Sequence, residues 1–176
     1  MINNIIKNSV KYFYRKISNS REGIKIPILC YHSVNNKYNI DADPIDLDLF
    51  ERHLYFIKKK YNVIKLKDSV EMILNNKSYD KNILSITFDD GYIDNFINVF
   101  PLIKKYKLPI TIFIVTDFIN QKISLIDNKE WNAMTWDNVK EMNKSGLVDI
   151  EAHSLTHKNL ITLKKTDAYH EIAESR

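Results

Sequence analysis

The stretch NILSITFDDGYIDNFINVFPLIKKYKLPITIFIV, residues 82–115, decides the fold. It opens on an apolar run over 82–88 that is too short for a helix and rich in β-branched side chains, the pattern of a buried strand. That run ends directly in two aspartates, a glycine and a tyrosine. Residues 95–106 then carry apolar positions at helical steps, with Pro101 expected to bend or restart the helix. PITIFIV (109–115) is a second apolar run with strand composition. Strand, helix and strand in this order form the crossover unit of a parallel sheet.

The same alternation extends outward in both directions. IPILCY (26–31) reads as a buried strand, and DLDLFERHLYFIKKK (46–60) as a helix capped by Asp46 with Leu47, Phe50, Leu54 and Ile57 facing inward. NVIKL (62–66) is a strand and SVEMILNN (69–76) a short helix. Beyond the central unit a polar loop is expected through residue 130. Thr135 then caps the helix WDNVKEMNKS, which Gly146 stops. LVDIEA (147–152) is the last strand, and the tail is helical from about Thr166. The expectation is an α/β fold, a parallel sheet or barrel with crossover helices. Because the pattern stops on a helix without a closing strand, the barrel is expected to be incomplete, cut short at its C-terminal side.

Composition narrows the function class. With 176 residues, 44% apolar and 27% charged, the chain has the make-up of one ordinary globular domain. A net charge of +4, without zinc knuckles or aromatics interleaved with arginine, argues against a nucleic-acid partner. The single Cys30 excludes an intrachain disulfide. No apolar run is long enough to span a bilayer, and the N-terminus lacks the uninterrupted apolar core of a secretory signal. The expected location is therefore cytoplasmic.

Residues 1–25 stand apart as an amphipathic helix and linker. Ile2, Ile5, Ile6, Val10, Phe13 and Ile17 share one face, with Lys7, Lys11 and Arg15 opposite. Such a helix either packs on the domain or lies on a membrane surface, here the inner face. Residues 26–176 form the domain itself.

Three clusters carry chemistry. Asp89 and Asp90 are adjacent carboxylates at the C-terminal end of a buried strand, which is costly unless they bind a cation or share a proton. Active sites of parallel α/β architectures lie at that end. His153-Ser154-Leu155-Thr156-His157 follows another strand, and two histidines four apart can face one side of a helical turn and share a metal. With Asp90 they make a two-His, one-carboxylate set with open positions, suited to zinc, iron, cobalt, nickel or manganese. Tyr31-His32 ends the first strand, and His32 is either a general acid or a buried hydrogen-bonded histidine. His53 and His170 are expected at the surface. Ser154 and Thr156 either support the ligands or hold the turn.

TFDDG followed some sixty residues later by HSLTH resembles the paired motifs of the polysaccharide deacetylase family, the NodB-homology domain of carbohydrate esterase family 4. WNAMTWDNVKEMNKSGLVDIEAHSLTH is similar to that family's approach to its second motif. The resemblance covers roughly residues 26 to 176 and implies a distorted (β/α) barrel. It implies a metal-dependent hydrolase that removes N-acetyl groups from a polysaccharide or glycolipid precursor, with one divalent ion, zinc by preference. It also implies roles: Asp89 the catalytic base, Asp90, His153 and His157 the metal ligands. Tyr31-His32 resembles the N-terminal motif of the permuted biofilm poly-N-acetylglucosamine deacetylases, which makes His32 the general acid. The family's later motifs have no counterpart here. The alternative is a weakly active or inactive carbohydrate-binding remnant. Oligomeric state is not legible.

Overall fold

A computed structural model of the chain describes residues 25–37, 43–75, 77, 82–126 and 131–175. The expected N-terminal amphipathic helix lies outside the described residues. All five expected strands are present, and they form a single parallel sheet. Strand β1 is Ile28–Tyr31, β4 Asn62–Val63, β5 Ile83–Phe88, β6 Ile110–Ile114 and β7 Val148–Ala152. Their order is β1-β5-β6-β7, with β4 pairing the start of β5. A short parallel pair, β2 (Ser33–Val34) with β3 (Pro44–Ile45), forms a second, minor sheet that sequence patterning did not suggest. Among the described residues the main sheet is open, with β1 and β7 at its edges.

Strand β5 is central because its composition tolerates burial on both faces, and all six of its residues are buried. Helix α1 (Leu47–Lys60) begins as expected, with Asp46 accepting from the Leu49 amide, and it buries Phe50, Leu54 and Ile57. Helix α2 (Leu66–Leu74) starts three residues earlier than its apolar period indicates, shortening β4 to two residues. The start of α2 is tied to the sheet by long-range contacts, as Lys65 and Lys67 reach across to Asp149 on β7 at 2.6 and 3.3 Å.

Pro101 has the expected effect. Residues Asn95–Val99 form a π-helical segment, and α3 (Phe100–Tyr106) restarts with the proline in its first turn, where its missing N–H costs nothing. The expected polar loop after β6 is a correction. Residues Thr116–Ile119 form a short helix, α4, and Val115, Phe118, Ile126 and Trp131 pack around Tyr92 as a second core. Scattered apolar residues among polar ones hide such a cluster from any periodicity. Helix α5 (Trp136–Lys144) carries the full capping box between Thr135 and Asn138. Helix α6 (Lys165–Ala173) closes the described chain.

One face of the sheet is unusually polar. The register aligns Cys30 with Thr87, Thr87 with Thr111, and Thr111 with Asp149 in a row across four strands. Side chains in a strand repeat their direction every second residue. Two residues beyond this row lie His32 and Asp89, and four residues along β7 lies His153. The sheet's alternation thus delivers three of the candidate site residues to one edge of one face.

Candidate metal centre

The turn after β5 is built from two consecutive residues with positive φ, Asp90 at 74° and Gly91 at 88°. Aspartate tolerates the left-handed region better than most residues, and glycine favours it. A side chain on Gly91 would also meet Ile119 Cδ1 at 3.0 Å and Ile114 Cγ2 at 3.1 Å. The turn is stitched to its neighbours: the Val115 amide donates to the Asp90 carbonyl at 3.2 Å, and the Met134 amide to the Gly91 carbonyl at 3.0 Å. Asp90 is thereby held with its carboxylate almost wholly buried.

His153 leaves the end of β7, its amide donating to the Ile114 carbonyl at 2.9 Å. The segment through His157 is not the helical turn that its spacing suggested. It is an irregular loop in which Ser154 and His157 adopt φ of 65° and 59°. The fold still brings both imidazoles onto Asp90: Nε2 of His157 lies 3.3 Å, and Nε2 of His153 3.6 Å, from Asp90 Oδ1. Donor atoms of the three residues lie within 4.8 Å of one another.

These separations fit a metal. Ligand atoms about 2.0–2.1 Å from a tetrahedral ion stand about 3.4 Å apart, close to both measured distances. Asp90 Oδ1 is also buried and makes no hydrogen bond, a costly condition that a cation would relieve. The residues present therefore suit a divalent ion with N and O donors.

Asp89 and His32 stand beside this set. His32 Nε2 is 4.0 Å from Asp89 Oδ2, and both side chains are partly open to solvent. The Cys30 thiol donates to Asp89 Oδ2 at 3.4 Å. Burial, with the carboxylates of Asp89 and Asp90 nearby, pushes that thiol up to about 11. The His32 side chain is 39% exposed rather than buried.

Three further residues support the site and were not singled out from sequence. Asp94 is buried and accepts from the Ser33 hydroxyl and from Asn95 Nδ2. Asn95 Nδ2 also donates to the His32 carbonyl at 3.0 Å, so the segment carrying His32 is tied to the helix that follows the DDG turn. Burial raises Asp94 to about 6 despite these donors. Glu171 of α6 accepts from the amide and hydroxyl of Thr156. No apolar period marks its position, since the inward side of α6 and its C-terminal end carries Ala168, Glu171 and Ser175. The remaining histidines divide. His170 is exposed as expected, whereas His53 is half-buried and its Nδ1 meets the Tyr31 hydroxyl at 3.2 Å, which corrects its assignment to the surface. Burial lowers the His53 pKa, so it has no need of a counter-charge.

An open groove of about 1080 Å³ begins at His153 and His157 and runs past Ile150, Leu160, Ile172 and Trp136. Neither Asp89 nor His32 lines it, so this groove flanks Asp90, His153 and His157 on the side of β7 rather than covering Asp89 and His32.

Comparison with known proteins bears on this arrangement. The family model described as polysaccharide deacetylase matches residues 76–176, more than half of the chain. A Bacillus subtilis (strain 168) protein provisionally named polysaccharide deacetylase YxkH is 30% identical over 153 residues, 86% of this chain and 50% of its own length. The poly-beta-1,6-N-acetyl-D-glucosamine N-deacetylase of Staphylococcus aureus (strain MRSA252) is 34% identical over 86 residues, 47% of this chain and 27% of that protein. The chain thus spans half or less of the curated relatives it matches. The structure of the Streptococcus pyogenes deacetylase PplD in complex with acetate superposes with a TM-score of 0.73 at 24% identity, covering 88% of this chain and 67% of that one. That likeness establishes the fold.

Proposed function

The chain belongs to the polysaccharide deacetylase family, and on that premise we propose that it hydrolyses the acetamide of an N-acetylated glycan, releasing acetate and leaving a free amine. The observation that carries this reading is the gathering of Asp90, His153 and His157 around one point, with Asp89 and His32 paired beside it. We take the cation to be zinc, which accepts imidazole and carboxylate donors in tetrahedral coordination. Held by Asp90, His153 and His157, it supplies Lewis acidity toward the acetyl carbonyl.

The chain's own residues divide the proton work. Asp89, partly exposed and adjacent in sequence to a ligand, accepts the proton of the attacking water as its oxygen bonds to the carbonyl carbon. His32, 4.0 Å from Asp89, donates to the departing nitrogen as the C–N bond breaks. The two groups sit close enough that the base and the acid serve one small reacting centre. The buried Asp94 and Asn95 keep the His32 segment against the DDG turn, so that this separation survives thermal motion.

The Staphylococcus aureus relative's name points to β-1,6-linked N-acetylglucosamine as the first substrate class to try. We place the work at the inner membrane face, on the strength of the basic amphipathic pattern over residues 1–17. Membrane flotation of the intact chain against one lacking residues 1–20 tests that placement, and identical partitioning would count against it. Among the described residues no helix is long and apolar enough to cross a membrane.

The deciding experiment is acetate release from N-acetylglucosamine oligomers by the zinc-loaded chain, with metal content measured on the same samples. Asp89→Asn and His32→Ala are each expected to lose about 10²–10⁴-fold in rate while retaining zinc. Asp90→Ala is expected to lose both. Unchanged turnover in Asp89→Asn overturns the base assignment. Zinc binding without any acetate release would leave only a glycan-binding role.

A further inference from the structure

The structure assigns Glu171 as the positioning residue of the candidate metal centre, acting through the loop that carries His157; this rests on the metal reading proposed above. Helix α6 buries only one residue, and that residue is a glutamate, 3% exposed. Glutamate is almost never buried without partners. Its larger apolar neighbours point outward, Tyr169 at 72% exposed and Ile172 at 49%. The helix is therefore not seated by an apolar stripe. It is seated by polar contacts, and most of them go to the histidine loop.

Those contacts take up the donors at the middle of the loop, while its Ser154 and Leu155 carbonyls accept from the Thr116 and Asp117 amides of α4 at 3.3 and 2.9 Å. Glu171 Oε2 accepts from the Thr156 amide at 2.8 Å, Oε1 accepts from the Thr156 hydroxyl, and the Glu171 carbonyl accepts from the Leu155 amide at 3.0 Å. Lys158 Nζ stands 3.6 Å from Oε1 and balances the charge. The loop needs such a tether. Ser154 and His157 both hold positive φ, a region that residues other than glycine leave unless the surroundings over-determine them. The two ligands differ in how they are anchored. His153 is fixed by the sheet through its bond to Ile114, whereas His157 reaches Asp90 only by way of this loop, its amide capped by Ser154 Oγ at 3.0 Å. The α4 amides hold the loop on the side of His153, and Glu171 holds Leu155 and Thr156 on the side that leads to His157, positioning it relative to Asp90.

Zinc affinity, measured by competition with a chromophoric chelator, tests the assignment on the full chain. Loss of a supporting hydrogen bond typically weakens a metal site 10–100-fold, and Glu171→Ala is expected to fall in that range. Glu171→Gln is expected to recover most of the loss, since its amide can accept from the Thr156 N–H and donate to the hydroxyl. Thr156→Val should lose part of the affinity, and should lose nothing further when added to Glu171→Ala. A Glu171→Gln variant as weak as Glu171→Ala would overturn positioning in favour of a charge effect. An Glu171→Ala variant with full affinity would overturn it outright. If Glu171→Ala does not fold, Glu171→Gln and Thr156→Val decide by the same criteria. If the unsubstituted chain binds no zinc, the metal reading itself fails. Amide exchange then judges the tether alone, and unchanged exchange at Leu155 and Thr156 in Glu171→Gln and Thr156→Val would overturn it too.

Discussion

Replacing Asp90 by asparagine should move the stability of the chain in opposite directions with and without zinc. Asparagine is the right probe because residue 90 holds φ of 74°, which asparagine tolerates about as well as aspartate and alanine does not. The backbone bond from Val115 to the residue 90 carbonyl is also retained. In the metal-free chain Asp90 Oδ1 is buried and makes no hydrogen bond. An unsatisfied buried group costs about 1–3 kcal/mol. The imidazole nitrogens at 3.3 and 3.6 Å offset part of that, so the lower end applies. Removing the charge should then return about 1 kcal/mol, a rise of about 2–4 °C in Tm for a chain of this size. Zinc at a hundredfold excess over its Kd should stabilise the unsubstituted chain by about 2.7 kcal/mol, or about 5–11 °C. Asp90→Asn should show little of that second shift. Thermal unfolding by circular dichroism, after chelation and after zinc addition, reads both numbers. A variant that melts lower than the unsubstituted chain without metal would mean that Asp90 is held by its imidazole contacts and is not poised for a cation. A variant that keeps the full zinc shift would remove Asp90 from the ligand set.

Three other perturbations follow from the same geometry. Burial raises Asp94 from 3.8 to about 6, so its contribution to stability is full below about pH 4 and is lost as pH rises through 6. The loss is on the order of 2–3 kcal/mol, and urea midpoints at about pH 4.5 and 7.5 should differ less in Asp94→Asn than in the unsubstituted chain; an identical difference refutes the assignment. Gly91→Ala should cost about 1–3 kcal/mol, because the new methyl meets Ile119 and Ile114 at 3.0 and 3.1 Å from a backbone at φ 88°; a neutral unfolding curve would contradict the crowding. Cys30, although exposed, should react with a disulfide reagent at about pH 8 roughly tenfold more slowly than a free thiol, since its thiol is pushed up to about 11 while the greater nucleophilicity of its thiolate offsets about half of the effect. Reaction at the rate of glutathione would show that the partial burial raising this thiol is not maintained.

The strands at 83–88 and 110–114 were legible because burial on both faces leaves continuous apolar runs, and 148–152 because apolar and acidic residues alternate along it. The caps at Asp46 and Thr135 were legible for the same local reason, as their side chains answer to amides three residues away. That Asp90, His153 and His157 could hold a metal was readable from residue type and spacing, yet the path that brings them together was not. The loop 153–157 is held by Glu171, fifteen positions from Thr156, and by the Thr116 and Asp117 amides, contacts that no local pattern encodes. The second core around Tyr92 was hidden likewise, because Phe118, Ile126 and Trp131 share no period and meet only once the DDG turn is in place. His53 was misread because a polar residue on a helix defaults to solvent, while here Tyr31 occupies the space beside it.

The choice of an aspartate from β5 and a histidine from β7 has a geometric reason. The two strands are not neighbours: β6 lies between them, so their backbones are two sheet spacings apart, about 9–10 Å. Strand β6 also sets that gap rigidly, since its Ile114 carbonyl receives the His153 amide and the following Val115 amide donates to the Asp90 carbonyl. A short carboxylate from one side and a long imidazole from the other close most of the distance, leaving 3.6 Å between donor atoms. The third proposed ligand, His157, comes from a segment free of the sheet, a loop held by contacts from both α4 and α6. The sheet thus spaces Asp90 and His153, and the contacts from the two helices hold His157 beside them.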